Sequence, residues 1–193
     1  MHPEVEAILN EIETHRLHFT VLCRGLTMEE LCRPVPNSSW QVRDFIAHLA
    51  TIDGPVEQMF QAMHAGTQGS GASGSNGEKW DVDRYNNHQV EVRRDRTVNE
   101  LLVEAAEKRT RLRSTLASLT AEDLEKTLHF GGDGKRPATD IRFGDYLKGW
   151  AKHDPMHAVD MMRAMPEKMS PRLEKWFDDP AVRGYQKAMN AKA

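Results

Sequence analysis

Residues 143–164, FGDYLKGWAKHDPMHAVDMMRA, decide the reading of this chain. Phe143, Leu147, Trp150, Met161 and Ala164 follow the three-and-four spacing of one helix face. His153 and His157 occupy the same seam, between Trp150 and Met161. Two histidines four apart on a helix project from one face, one turn above the other. Such a pair is a two-point grip on a divalent metal, and a third imidazole from a facing helix would complete an open, catalytic-type site. With nine histidines in 193 residues, chance alone supplies about 0.4 such pairs, so the pair counts only if its surroundings agree.

Upstream, the same periodicity recurs. Val5, Ile8, Ile12, His15, Phe19, Leu22 and Leu26 make a seven-residue repeat and predict an amphipathic helix. His15 on that seam reads as a hydrogen-bonded core histidine, or else as a neighbour of the site. Val42, Phe45, Leu49, Ile52, Val56, Met59 and Met63 predict a second helix. Ser38 with Gln41 is read as its capping box. His48 lies three residues after Phe45 and four before Ile52, on the buried flank. A third helical region starts near Asp81, breaks around Arg96 and resumes behind a capping box of Thr97 and Glu100, with Val98, Leu101, Ala105, Leu112, Leu116 and Leu119 inward. Thr120 with Asp123 opens another short helix, and the glycines from Gly131 to Gly134 break the pattern. Pro166 and Pro171 close the last long helix, and Asp179 before Pro180 caps a short terminal one. No alternating strand is evident, so the expected fold is all-α, four long helices in a bundle. Residues 66–77, rich in glycine and serine, predict a long flexible connection between helices 2 and 3, or alternatively a lid.

Composition narrows the function. The formal net charge is −3 with 28% charged residues, which makes no case for a polyanion partner. Lys108, Arg109, Arg111 and Arg113 sit among Glu104 and Glu107 at helical spacing and read as a solvated face. With no basic stripe, zinc-finger spacing or stacking platform, nucleic-acid binding is not expected. A mean hydropathy of −0.65 and the lack of a long apolar run argue against a membrane span. Glu4, Glu6 and Glu11 do not fit a signal peptide. Two cysteines make no disulfide framework, so a reducing cytoplasm is expected, with Cys23 in the core.

The run Trp40 to Leu49, with Trp40 eight residues before the His48–Leu49 pair, and the run Lys152 to Asp160 together resemble the DinB/YfiT-like superfamily. The resemblance spans residues 3–165. It implies a four-helix bundle over residues 1–165, with residues 166–193 as a C-terminal helical extension of the same domain. It carries His48, His153 and His157 over as ligands of a divalent metal, with nickel or zinc expected, and it assigns no substrate residues. Relatives include low-molecular-weight thiol S-transferases and mycothiol-dependent maleylpyruvate isomerases. It therefore implies a thiol-centred reaction on a small-molecule substrate, with a low-molecular-weight thiol as co-substrate. Relatives commonly pair, so a homodimer is expected, with the tail from Pro166 mediating or covering the contact.

Pro155 departs from a plain helix, because it removes an intrahelical bond and clashes with the carbonyl of Ala151. A kink that keeps both imidazoles inward is expected over a new helix starting at Asp154 that strands His153 outside. Around the ligands, Asp44 and Asp160 are candidates to orient imidazole N–H groups. Asn86 and Asn87 are candidates to line a pocket, and Arg43 to attract a substrate carboxylate. Three imidazoles leave a coordination position open, where a metal lowers the pKa of water or a thiol. Two alternatives stand beside thiol transfer. One is small-molecule hydrolysis, with Asp154 where a metalloprotease keeps its glutamate base. The other is a non-catalytic metal- or ligand-binding bundle.

Overall fold

Pro3 at the first position, Glu4 and Glu6 in the first turn and Arg24 in the last complement the dipole of helix α1 (Pro3–Arg24). Its buried face is Val5, Ile8, Leu9, Ile12, Arg16, Phe19 and Cys23. The expected seven-residue seam therefore drifts. A straight helix turns 3.6 residues per turn, so a 3.5 repeat slips about 20° per heptad, and the inward positions pass from His15 to Arg16 and from Leu22 to Cys23.

The computed structural model describes residues 1–65, 81–132 and 137–190; the predicted linker at 66–77 lies outside the described residues. After α1 come α2 (Met28–Leu31), α3 (Val42–Leu49), α4 (Asp53–His64), α5 (Val82–Glu91), α6 (Val98–Leu116) and α7 (Ala121–Glu125). Strands β1 (Thr127–Phe130) and β2 (Thr139–Arg142) lead into α8 (Phe143–Ala151), α9 (His153–Arg163), α10 (Pro171–Phe177) and α11 (Pro180–Asn190). The expected caps at Thr97, Thr120 and Asp179 all form. The cap before His48 does not: Ser38 accepts from the backbone of Trp40, and α3 begins at Val42 with Asp44 accepting from the Gln41 N–H. The fold is helical as expected, except for the β1–β2 hairpin, paired antiparallel from Thr127↔Arg142 to Phe130↔Thr139. Only Leu128 of β1 is buried, so four-residue strands with one inward side chain carry no alternation to read.

Two of the expected long helices are each broken in two, and both breaks have one cause. Pro55 is the third residue of α4 and Pro155 the third residue of α9. A first-turn N–H has no intrahelical partner, so proline costs nothing there but forbids the helix from continuing upstream. Thr51 Oγ1 donates to the His48 carbonyl at 2.8 Å, and Arg16 Nη1 to the Leu49 carbonyl at 3.2 Å, satisfying groups freed at the first break. At the second, Lys152 (φ −90°, ψ 1°) separates α8 from α9. The expected kink is thus a break one residue before His153, which is the first residue of α9.

α1 packs on α6, α8 and α9, α4 on α6, and α3 on α6 and α9, while α10 and α11 pack on α9. The core divides into two apolar clusters, one around Phe19, Ile52, Ala105 and Ala158, the other around Ile12, Val56, Leu112 and Ala151. Buried charges from α1, α4, α6 and α9 meet in the interior: Arg16, Asp53, Arg109 and Asp154. Arg16 grips Asp154 with both arms at 2.8 and 2.9 Å, and Arg109 grips Asp53 at 2.7 and 3.2 Å. Arg109 Nη2 also stands 3.9 Å from Asp154. Arg109 is therefore not on the solvated face expected for the basic run, although Arg111 and Arg113 are. Among the described residues, no helix is long and apolar enough to cross a membrane.

Candidate metal centre

His48 sits near the C-terminal end of α3, where Phe45, Leu49 and Ile52 turn that face inward, and it is buried. Starting α9 at His153 aims that ring and His157 toward it. One ring nitrogen of each of the three lies within 4.8 Å of the other two. The Nε2 atoms of His153 and His157 are 2.9 Å apart. Two nitrogens at about 2.0–2.1 Å from a shared ion and this far apart subtend about 90° at it, so one ion fits between them.

The donor chemistry agrees. His157 Nδ1 lies 3.1 Å from Asp160 Oδ2. A carboxylate only accepts, so this contact puts a proton on Nδ1 and leaves Nε2 as the nitrogen that faces His153. Burial, then the neighbouring imidazoles, pushes the His48 pKa well down. His153 is pushed the same way by burial, His157 and the two buried arginines. Both rings are thus neutral, the form that ligates a metal. His48 Nδ1 is buried without a hydrogen-bond partner, an unusual state for an interior polar atom.

Aromatic rings wall the cluster. Trp40 lies 5.2 Å from His48, Phe45 5.5 Å from His157, and Trp150 4.6 Å from His153, between ring centroids. Asn87 on α5 accepts from Trp40 Nε1 at 2.8 Å and so holds that wall. Its role is indirect, through the indole that touches His48. The remaining candidates fare differently. Asp160 orients a site histidine, whereas Asp44 caps α3. Arg43 donates to the Arg96 carbonyl at 2.9 Å, which occupies one arm of its guanidinium. Asn86 is half-buried on α5. His15 accepts from Trp176 Nε1 at 2.8 Å as a packed, hydrogen-bonded histidine.

Asp154 does not join the imidazoles: Arg16 holds both of its oxygens. The residues that sequence reasoning missed are Arg16, Asp53 and Arg109, which pair among themselves and with Asp154, the neighbour of His153 in the chain, and Tyr185, which reaches Asp160. Arg16 was legible, since at 100° per residue it falls within 20° of Val5 on the α1 face. Tyr185 had no comparable signal, because nothing local ties a terminal helix to Asp160.

Comparison with curated proteins finds no match. A family comparison matches residues 11–161, a span that contains all three histidines and leaves α10 and α11 outside. With that match covering most of the chain and the histidines gathered from its two ends, the protein belongs to the DinB superfamily, a metal-binding family.

Proposed function

We propose that His48, His153 and His157 hold one divalent metal ion, nickel or zinc, and that the chain is a metal-dependent enzyme of thiol S-transferase or isomerase type. The substrates are a low-molecular-weight thiol and a small electrophile. The convergence of three imidazoles carries the reading. Such an ion would hold a thiolate and stabilise charge developing on the electrophile. The chain's own contribution is orientation and shelter. Asp160 orients the His157 ring, while Trp40, Phe45 and Trp150 pack around the ring cluster.

The hydrolytic alternative is weaker, because its base would be Asp154. A carboxylate clamped at both oxygens by a buried guanidinium is poorly placed to take a proton from water. The tail belongs to the same domain in this reading. Trp176, Phe177 and Val182 support that, since they join the cluster that holds Phe45 and Ala158. Two free cysteines fit a reducing cytoplasm, and a homodimer is the proposed assembly.

The test is the metal content of purified protein beside His48→Ala and His157→Ala. Near-stoichiometric nickel or zinc, lost in both variants with helicity retained, is expected. Thiol-conjugation assays on electrophile panels then follow. Protein that carries no metal and takes up neither ion would end the proposal.

A further inference from the structure

The oxygen of Asp160 that faces His157 has a second partner. Tyr185, on α11, places its hydroxyl 2.6 Å from Asp160 Oδ2. Its ring centroid is 6.3 Å from that of His157. The carboxylate can only accept, so the phenol donates, and Oδ2 receives both the Tyr185 O–H and the His157 N–H. Asp160 is 3% exposed. Its other oxygen has no hydrogen-bond partner, and the Arg163 guanidinium stands 3.6 Å from it. Tyr185 and His157 therefore make the hydrogen bonds that fix this carboxylate's rotation.

The helix that carries Tyr185 is itself pinned to the site. Asp179 accepts from the Ala181 and Val182 N–H groups at the start of α11 and also meets Lys152 Nζ at 2.9 Å. Lys152 is the break residue immediately before His153, and Val182 is completely buried against the core. One ion pair thus ties the start of α11 to the start of α9, and Tyr185 lies within two turns of that tie.

Resting on the three-histidine reading, we infer that Tyr185 is a positioning residue of the metal centre. From a helix outside the segment matching the superfamily, it locks Asp160 so that Asp160 presents His157 Nε2 toward His48 and His153. Without the phenol, Asp160 can rotate, and His157 loses its fixed orientation.

The experiment compares wild type, Tyr185→Phe, Asp160→Asn and His157→Ala by cobalt(II) titration, recording affinity, visible ligand-field absorption and the unfolding temperature of the metal-free proteins. Partners behind a metal-bound histidine commonly govern affinity by about 10- to 100-fold, and a group one bond further out acts less. Tyr185→Phe should bind cobalt about 3- to 10-fold more weakly with displaced absorption bands, while its metal-free unfolding stays close to wild type. Asp160→Asn should displace the bands in the same way and bind weaker still. Wild-type affinity and bands in Tyr185→Phe, beside a wild type that binds and a His157→Ala that does not, would overturn the role of Tyr185 alone. No cobalt uptake by wild type would overturn it together with the three-histidine reading.

Discussion

Asp154→Asn removes one negative charge from the buried layer while keeping the size of the side chain. In the native protein Asp154 accepts both arms of Arg16 and lies 3.9 Å from Arg109. Burial opposes the Arg16 charge, but Asp154 and Asp53 outweigh it, and the Arg16 pKa ends above its ordinary value. The amide can still accept from one guanidinium arm, yet its own NH2 turns toward the other, and two buried cations then face one carboxylate, that of Asp53. Breaking a buried pair by removing one partner costs roughly 3–5 kcal/mol. At about 2–4 °C per kcal/mol for a domain of this size, the midpoint should fall by about 6–20 °C. Thermal unfolding followed by circular dichroism, with metal removed from both proteins, measures this directly. Arg111→Ala, on the exposed part of the basic run, serves as the control and should stay within about 0.5 kcal/mol. A double variant, Arg16→Met with Asp154→Leu, should recover much of the loss, since apolar side chains tolerate this layer once no charge is stranded. An Asp154→Asn protein that melts within about 2 °C of wild type would refute the assignment of the layer as a charge-balanced unit.

Metal removal should be visible in stability as well as in content: at a free ion concentration 100 times Kd, binding adds about 2.7 kcal/mol. Chelation should then lower the melting temperature of wild type by several degrees and leave His48→Ala unmoved; equal shifts in both would contradict the site. Glu104 bonds to Arg93, Arg96 and Lys108 at 2.7, 2.7 and 2.5 Å. Burial opposes its charge, but Arg93 and Lys108 outweigh it and depress its pKa from 4.5 to about 2. A depressed carboxylate stabilises the fold fully above its unfolded pKa and ceases to as pH falls toward the folded value. Stability should therefore drop between about pH 4.5 and 2, by about 1 kcal/mol after solvent screening, and a Glu104→Gln titration lacking that component is the check. Thr97→Ala removes the side-chain acceptor of the Glu100 N–H. It should cost about 1 kcal/mol in urea unfolding; a loss under about 0.3 kcal/mol would mean that the cap is replaced by water.

The break in α8–α9 shows where local reading ends. Pro155 is visible in the sequence, and the cost of a proline to the upstream helix follows from its missing N–H alone. Whether the helix kinks or restarts depends on what satisfies the freed groups and anchors the joint. Here Glu11 and Asp179 both reach Lys152, from α1 and from the start of α11. A second proline, Pro55, breaks the helix after His48 in the same manner. Together the two breaks put Asp53 and Asp154 into first turns, facing the arginines of α1 and α6.

By itself the sequence determined the helical class, three of the capping boundaries and the inward positions of His48, His153 and His157. All of these follow from residues a turn or two apart, where helix geometry and capping are local rules that hold even across the two breaks. Tertiary structure alone decided that Asp154 answers Arg16 rather than a substrate, that Arg109 is buried within a basic run, and that Tyr185 stands behind Asp160. Each is a contact between side chains far apart in sequence, Arg16 and Asp154 by 138 residues. Burying a charge is costly without its partner, and no local pattern says which of several charges on facing helices will be that partner.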